Sequence, residues 1–490
     1  MRKVKIFFFP HIAGGHLLPM VDAARFVASH PKVKVTIITT PRNAKIFENA
    51  ITRDREEAGH DIGFHLLDLD RLKFGLPEDV ENTLHSLSAE LRYKVFMSVL
   101  GLKEPLLGLL ETHRPDCLVS DVVQSWTLDV ANKAGIPRIA FRGASVFSFC
   151  VEDCLRKFKP HENVESDDQP FLLPGLPDPV YMTRNRMPHC QSDPNVVSFF
   201  EEIHKAEMDS FAIMANSAHD LEPGYHNHAK TVIGVKLFAL GPVSKSSNKT
   251  ALDKSERGAS QSVDDDDMIL GWLRSKAQHS VVYVSFGSEA SLCKEQFHEI
   301  ALGLESSGHP FIWVAKSLHY TNPNEPGWFP TGFEDRIKDS NQGLIIKGWA
   351  PQLLILDHAN VGAFMTHCGW NSSIECLCAG VPFITWPLAV DQFFNESLLV
   401  DVLKVGIRVG NEECTYMSAT DFKSKVTVTT RDKVEFAVRR ILSGDKDVQV
   451  MKKNVQILAT KAKKAVEEGG SSYNDVYALV DELIARQNPK

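Results

Sequence analysis

Short apolar runs alternate with amphipathic segments along the first half of the chain. The runs Val4–Phe9, Val33–Thr40 and Ile62–Leu67 are bounded by turn or polar residues, which predicts buried strands. After the first run, apolar residues recur at helical spacing, at Leu17, Met20, Val21, Ala24 and Val27. This alternation of strands and helices predicts a parallel, doubly wound α/β sheet.

The same alternation returns in the second half of the chain. A strand is predicted at Val281–Phe286, a helix at Lys294–Ser307 and a further buried strand at Val361–Met365. The chain has 490 residues, more than one hydrophobic core usually supports. We therefore predict two similar Rossmann-like domains.

A polar stretch separates the two halves. Residues 244–267 have almost no apolar side chains and end in four aspartates, which is the composition of a solvated linker. This stretch predicts an N-terminal domain over 1–243, a linker over 244–267 and a C-terminal domain over 268–470. A helix is also predicted near Tyr473–Ala485, within a final segment 471–490.

Composition excludes several classes of protein. The hydrophobic content of 43%, the charged content of 24% and the net charge of −8 describe a soluble globular protein without the basic surface that nucleic acids require. The apolar run at Ile6–Phe9 stops at Pro10, too early for a signal peptide, and no stretch approaches the roughly 20 apolar residues of a membrane span. The nine cysteines lack paired metal-ligand spacing, which favours a reducing, cytoplasmic location.

Polar residues gather in one stretch of the second half, Trp349–Gln392, which reads WAPQLLILDHANVGAFMTHCGWNSSIECLCAGVPFITWPLAVDQ. After the predicted strand Val361–Met365, the turn Thr366–Gly369 leads into a helix that is predicted to begin near Trp370 with its first backbone N–H groups free. Such a helix start welcomes an anion. Taken singly, a serine there is an ordinary helix cap, and a histidine there is an ordinary strand-end residue.

Taken together, this stretch resembles the signature box of plant secondary-product glycosyltransferases, which use UDP-sugars to glycosylate small lipophilic acceptors. The resemblance implies that Trp349 stacks on uracil, that Gln352 contacts the uridine and that Glu375 holds the ribose hydroxyls. Ala350 belongs to the same binding stretch. An indole face, an amide and a carboxylate suit these three tasks.

The resemblance also assigns the rest of the donor site. His367, Asn371 and Ser372 would contact the diphosphate, with Ser288 after the strand Val281–Phe286 as a further phosphate contact. The residues expected around the sugar are Trp370, Asp391 and Gln392. Glucose users in the family usually carry glutamine at the last of these positions, so glucose is the expected donor sugar, with galactose and glucuronic acid as alternatives.

A histidine follows the first predicted strand, at the edge of the sheet where open α/β sheets bind ligands. The segment FFPHIAGGHLLP lacks the spacing G-x-G-x-x-G, which argues against a nicotinamide enzyme. It resembles the family's first loop, whose catalytic base falls on His16. His11 is the competing candidate and by position lines the acceptor site. An unperturbed histidine pKa of about 6.5 suits a general base.

Asp121 closes another predicted strand, at Asp116–Asp121. Such an aspartate can equally be the cap of the next helix, but the resemblance makes it the carboxylate that orients His16. Arg142 and Ser145 follow the next strand and would line the sugar or the acceptor. Arg142 and Ala144 depart from the His-Gly-Thr-Ser that many relatives carry there.

The resemblance implies a GT-B-type fold, with two Rossmann-like domains facing each other across a cleft and the segment 471–490 packing back on the first domain. It implies inverting transfer from a UDP-sugar to a lipophilic acceptor, with a triterpenoid or steroid preferred and a flavonoid or other phenol second. No Asp-x-Asp pair lies near the signature box, so we expect neither a metal nor another cofactor. We also expect a monomer. A glycoside hydrolase and a catalytically silent UDP-sugar binder are the rival hypotheses.

Overall fold

A computed structural model describes residues 2–77, 80–82, 89–187, 194–258, 263–288, 290, 292–315, 328–414 and 427–487. The chain divides into two compact units, neither of which is continuous in sequence. Unit 1 consists of Met1–Phe149, Cys190–Ser260 and Lys461–Lys490, and unit 2 consists of Cys150–His189 and Gln261–Thr460.

The strands, in chain order, are β1 Val4–Phe9, β2 Val33–Thr39, β3 Ile62–Leu66, β4 Cys117–Asp121, β5 Arg138–Arg142, β6 Phe171–Leu172, β7 Tyr181–Met182, β8 Ala212–Ala215, β9 Leu237–Ala239, β10 Val281–Ser285, β11 Phe311–Val314, β12 Gly343–Ile346, β13 Val361–Thr366, β14 Phe383–Thr385 and β15 Gly406–Arg408. Most are nearly continuous apolar runs, as strands covered on both faces should be.

The α-helices are α1 Gly14–Ala28, α2 Pro41–Glu56, α3 Arg71–Phe74, α4 Ala89–Leu100, α5 Lys103–His113, α6 Thr127–Lys133, α7 Val146–Phe158, α8 Pro194–Met208, α9 Pro223–His228, α10 Val243–Ser247, α11 Ala251–Glu256, α12 Val263–Arg274, α13 Lys294–Ser307, α14 Phe333–Asp339, α15 Gln352–Leu356, α16 Trp370–Ala379, α17 Gln392–Ser397, α18 Arg431–Ile441, α19 Lys446–Val466 and α20 Ser471–Gln487. None of the helices, as far as the structure describes them, is long and apolar enough to cross a membrane.

Each unit is built on one parallel sheet. The sheet of unit 1 has the strand order β3-β2-β1-β4-β5-β8-β9, and that of unit 2 has the order β12-β11-β10-β13-β14-β15. In both sheets the order reverses next to the strand that comes first in the chain, β1 or β10, which is the switch point where doubly wound sheets bind ligands.

The register of the central strands sets which loops meet at that edge. In unit 1, Phe9 of β1 pairs with Ser120 of β4, so the loop after β1 begins beside Asp121. In unit 2, Ser285 of β10 pairs with Thr366 of β13, so the loops that follow these two strands are also neighbours. The predicted site residues therefore lie where the carboxyl ends of adjacent strands come together.

The segment predicted to be a solvated linker differs from that expectation. Residues 243–247 and 251–256 form α10 and α11, and Asn248 donates from Nδ2 to Asp22 Oδ1 over 2.9 Å. Arg53 donates to Asp253 over 2.8 Å, and Arg257 Nε to Asp22 Oδ2, also over 2.8 Å. This part of the linker prediction is wrong because a polar network, rather than apolar burial, holds the segment to α1 and α2. Residues 259–262 lie outside the described residues.

The last helix, α20, belongs to unit 1. Its residues Leu479, Val480 and Leu483 are buried. Asp475 accepts the backbone N–H of Ala239 in the edge strand β9 over 2.7 Å. The helix therefore covers one end of the unit 1 sheet.

Candidate active site

His16 and Asp121 form a hydrogen-bonded pair in unit 1. His16 lies in the first turn of α1, where its backbone N–H donates to Ala13 over 2.9 Å. Its Nδ1 lies 2.9 Å from Asp121 Oδ2, across 105 residues of sequence. The Asp121 side chain is fully buried, whereas the His16 side chain is 35% exposed. The imidazole is thus held by a buried carboxylate and is partly exposed to solvent.

The carboxyl group of Asp121 is ionised. Burial raises its pKa, but the attraction of His16, the hydrogen bond to His16, the nearby His11 and a 3.0 Å bond from the Val123 N–H together bring the pKa below its ordinary value. An ionised Asp121 places the proton of neutral His16 on Nδ1. Nε2 is then the nitrogen that can accept a proton, as in the serine-protease triad.

Arg138 was not predicted as a site residue, but it contacts Asp121 and the neighbouring Ser120. It is buried within β5, donating from Nη2 to the backbone carbonyl of Asp121 over 3.0 Å and from Nε to Ser120 Oγ over 2.8 Å. Burial lowers its pKa to about 10, against the opposing pull of Glu207 and Asp121, so the guanidinium stays charged at neutral pH. A charged residue inside an apolar strand is the sequence signal that could have found it.

His11, the competing candidate base, forms no hydrogen bond with Asp121 in the part of unit 1 that the structure describes. It is buried, with its ring edge-on to the His16 ring at a centroid distance of 5.6 Å. Burial first, and then the nearby His16, lower the pKa of His11 to about 4, although Asp121 opposes the shift. His11 is therefore neutral at neutral pH, and its ring is a neighbour of the His16 ring.

Arg142 and Ser145 both have partners within unit 1. Arg142 donates from Nε and Nη2 to the two carboxylate oxygens of Glu207, over 2.8 and 3.0 Å, in a buried ion pair. Ser145 Oγ accepts the backbone N–H of Ser148 over 3.0 Å at the start of α7. These contacts order the end of β5, and the roles of the two residues toward a ligand stay predictions.

In unit 2, His367 lies at the end of β13 between two glycines. A Cβ atom on Gly369 would stand 2.3 Å from His367 Nε2, and one on Gly287 would stand 2.7 Å from the same atom. The next residue, Cys368, adopts a φ of 64°, which is rare for a residue with a side chain and typical of functional turns. Burial lowers the pKa of His367 to about 4, so the ring is neutral at neutral pH.

Three of the predicted nucleoside and phosphate residues form one hydrogen-bond network. Gln352 donates from Nε2 to Glu375 Oε2 over 2.7 Å and to Ser372 Oγ over 3.2 Å. Its Oε1 accepts the hydroxyl of the buried Tyr283 over 3.4 Å. This network joins α15 to α16, so ligand groups that meet Gln352, Ser372 and Glu375 meet a pre-ordered set.

The turn before α17 is ordered by its own side chains. Gln392 Oε1 accepts the backbone N–H groups of Leu388 and Ala389 over 2.8 and 3.0 Å, which leaves its amino group as the part available to a ligand. Asn395 donates from Nδ2 to Asp391 Oδ2 and to the Cys368 carbonyl, both over 3.0 Å. The turn that carries Asp391 and Gln392 is thereby tied to the turn after His367.

The remaining predicted donor-site residues lie on the same carboxyl edge of the unit 2 sheet. Trp370, Asn371 and Ser372 form the first turn of α16, where backbone N–H groups and the helix dipole favour an anion. Ser288 follows β10. Trp349 and Ala350 precede α15, and Trp349 is half-buried.

A family model described as UDP-glucoronosyl and UDP-glucosyl transferase matches residues 116–447. The chain belongs to this UDP-glycosyltransferase family. Anthocyanin 3'-O-beta-glucosyltransferase of Gentiana triflora is 40% identical over 487 residues, covering 99% of each chain. Abscisate beta-glucosyltransferase of Phaseolus angularis is 42% identical over 496 residues, covering 99% of this chain and 98% of the other.

The UDP-glycosyltransferase fold is also found among solved structures. UGT73P12 of Glycyrrhiza uralensis, solved with glycyrrhetinic acid 3-O-monoglucuronide, matches with a TM-score of 0.90 and 37% identity, covering 99% of this chain and 96% of the other. The predicted fold class, of two Rossmann-like domains of GT-B type, is confirmed, as is the predicted enzyme class, a UDP-glycosyltransferase.

Proposed function

We propose that this UDP-glycosyltransferase transfers glucose from UDP-glucose to a hydroxyl group of a lipophilic plant metabolite, with inversion at the anomeric carbon. The observation that carries the proposal is the 2.9 Å contact between His16 Nδ1 and the buried carboxylate of Asp121. It makes His16 Nε2 a base for the acceptor hydroxyl, and general-base assistance is typically worth about 10²–10⁴-fold in rate.

In this mechanism the acceptor oxygen attacks the anomeric carbon as its proton passes to His16 Nε2. The bond from that carbon to the UDP oxygen breaks on the opposite face of the sugar, which inverts its configuration. Asp121 stabilises the imidazolium that forms and is not itself protonated. Unit 1 thus supplies the proton transfer, and the donor is assigned to the residues of unit 2.

The leaving diphosphate is assigned to the start of α16. The dipole at a helix start contributes roughly 0.3–1 kcal/mol to anion binding, and Asn371, Ser372 and the neutral ring of His367 add hydrogen-bonding groups. No metal takes part in the proposed mechanism. Activity that is lost with EDTA and restored by Mg²⁺ or Mn²⁺ would contradict that part of it.

Glucose is the proposed donor sugar. The orientation of Gln392 supports it, since the amino group that its backbone contacts leave available can donate to a sugar hydroxyl. Two relatives at 40 and 42% identity, which carry the name glucosyltransferase, also support it. Galactose and glucuronic acid remain the alternatives.

The proposed acceptor is a triterpenoid or steroidal aglycone, with a flavonoid or other phenol as the alternative. Glycyrrhetinic acid 3-O-monoglucuronide in the Glycyrrhiza uralensis structure supports the first class, and the anthocyanin named for the Gentiana triflora relative supports the second. In unit 1, Ile12 of the loop that carries His11 packs in a buried apolar cluster with Leu76, Val95 and Val99, with Trp126 against it. The loop expected to line the acceptor site thus has apolar neighbours, which supports a lipophilic acceptor.

An acceptor screen with UDP-glucose, UDP-galactose and UDP-glucuronate tests the proposal. Mass spectrometry identifies the sugar transferred, and NMR of the product gives its anomeric configuration. The expected product is a β-glucoside. An α-glucoside would refute inversion, turnover with only another UDP-sugar would refute glucose, and UDP binding without any transfer would favour a silent binder. We further propose a cytoplasmic monomer, to be checked by light scattering and by a fluorescent fusion.

A further inference from the structure

His11 is a second imidazole beside the proposed base, and the mechanism above does not use it. Its ring lies edge-on to the His16 ring, with the centroids 5.6 Å apart and the planes at 86°. On another side it meets Phe96 at a centroid distance of 6.2 Å. The residue is only 8% exposed, so its placement is set by packing.

The two nitrogens of His11 differ in their surroundings. Nδ1 is sealed from solvent, and no described residue forms a hydrogen bond with it. A buried N–H group without a hydrogen-bond partner is rarer, and costs more free energy, than a buried nitrogen lone pair without one. We therefore place the ring proton of His11 on Nε2. Because burial also lowers the pKa of His11 to about 4, the ring is neutral at neutral pH and offers one N–H donor.

Besides His16, the ring of His11 meets the first of a series of aromatic side chains. Phe96 is followed by Phe199 at 5.9 Å and Phe199 by Phe200 at 5.7 Å, measured between ring centroids. Ile12, the next residue after His11, lies in the apolar cluster with Leu76, Val95 and Val99. A hydrogen-bond donor beside such apolar side chains discriminates between ligands, because a ligand without a matching acceptor atom leaves the donor without a partner.

We propose that His11 determines acceptor specificity by donating a hydrogen bond to a second oxygen of the acceptor, on the carbon next to the one that bears the reacting hydroxyl. Vicinal diols, catechols and hydroxyketones carry such a pair of oxygens. The inference rests on the proposed function, since it takes His16 as the base for the first oxygen.

The spacing of the two rings fits this pair of oxygens. Oxygens on adjacent carbons lie about 2.8 Å apart, and each forms hydrogen bonds of about the same length, so such a pair can join two nitrogens up to roughly 8 Å apart. The ring centroids of His11 and His16 are 5.6 Å apart, inside that span. One oxygen can thus meet Nε2 of His16 while its neighbour meets Nε2 of His11. An acceptor with a single hydroxyl leaves the His11 donor without a partner.

Matched acceptors test the inference. 7-Hydroxycoumarin is compared with 6,7-dihydroxycoumarin, and oleanolic acid with its 2-hydroxy derivative maslinic acid, each with UDP-glucose. The measured quantity is the ratio of kcat/KM for the dihydroxy acceptor to that for the monohydroxy acceptor. In His11→Phe, which keeps an aromatic ring but loses the donor, the ratio should fall about tenfold, while kcat/KM for the monohydroxy acceptor changes less than about threefold.

Two further variants separate this role from packing. His11→Gln keeps a donor near the position of Nε2 and should recover most of the ratio. Phe96→Leu alters the packing around His11 without removing a donor, so it should change kcat/KM for both members of a pair by a similar factor and lower the ratio much less than His11→Phe does. An unchanged ratio in His11→Phe, or equal losses for both members of a pair, would overturn the inference. If the wild-type protein glycosylates none of the four acceptors, the proposed acceptor classes fail, and the inference fails with them.

Discussion

The ring of His367 has room only because residues 287 and 369 have no side chain. Gly369, before the first turn of α16, has φ −58° and ψ 134°, a conformation that alanine adopts without strain. Gly287 has φ 79°, so alanine at that position would add backbone strain to any steric effect. Gly369→Ala is therefore the cleaner way to displace the imidazole.

The size of the displacement follows from the distances. The new Cβ would stand 2.3 Å from His367 Nε2, whereas unstrained contacts between such atoms are about 3.5 Å. The ring must therefore move by about 1 Å, and a misplacement of about 1 Å in a catalytic site can cost about 10²-fold in rate. We expect kcat/KM for UDP-glucose to fall by about that factor, with weaker binding of UDP.

The assay is a double-mutant cycle between positions 369 and 367. kcat/KM for UDP-glucose is measured at saturating acceptor, and the Kd of UDP by calorimetry. In a His367→Ala background there is no ring to displace, so Gly369→Ala should cost less than about threefold there. Gly444→Ala is the matched control, since Gly444 is exposed in unit 2 and a Cβ on it would meet nothing within 4 Å.

Two outcomes would refute this reasoning. Wild-type kcat/KM in Gly369→Ala would mean that the ring moves without consequence, and that His367 does not contact the diphosphate. An equal loss in both backgrounds would mean that the new methyl group acts through something other than the imidazole.

Three further predictions concern unit 1. His16→Ala should lower kcat/KM by about 10²–10⁴-fold while the Kd of UDP, measured by calorimetry, stays at its wild-type value; wild-type turnover would exclude His16 as the base. The pKa of Asp121 is lowered in the folded protein. Its contribution to the free energy of unfolding is therefore fully present at pH values above the ordinary aspartate pKa of about 3.9, and it is lost as the pH falls through the lowered pKa. The difference in free energy of unfolding between the wild type and Asp121→Asn, from urea titrations, should therefore narrow as the pH is lowered through 4; a constant difference would contradict the assignment. Arg142→Met leaves the buried Glu207 carboxylate without its paired guanidinium and should lower the free energy of unfolding by about 3–5 kcal/mol. Arg142→Met with Glu207→Leu should recover most of that loss, and no recovery would show that the ion pair is not its source.

The sequence predicted most accurately those elements that have clear ends. The strand Val4–Phe9 and the helix Lys294–Ser307 have the predicted limits, the helix because Gly308 follows it with a φ of 71°. The strands Phe311–Val314 and Gly343–Ile346 were not predicted. Each has only four residues, too few for a periodic pattern to separate a strand from a loop.

For the site residues, too, the sequence predicted groupings within one stretch better than contacts between distant stretches. Resemblance placed Gln352, Ser372 and Glu375 in one stretch, and the structure joins them by hydrogen bonds. The partner of Arg142 is 65 residues away in the sequence, and no spacing rule connects the two. Buried charges of this kind depend on topology, because the partner of Arg142, at the end of β5, comes from the distant helix α8.

The place of α20 in unit 1 has a consequence during synthesis of the chain. The backbone N–H of Ala239 receives its partner, Asp475, only 236 residues later. At about 5–20 residues per second, that interval lasts about 12–47 s. By then the ribosome has made every strand of unit 2. We therefore expect unit 1 to be the last part of the nascent chain to become resistant to protease, although its first strand is made at the start.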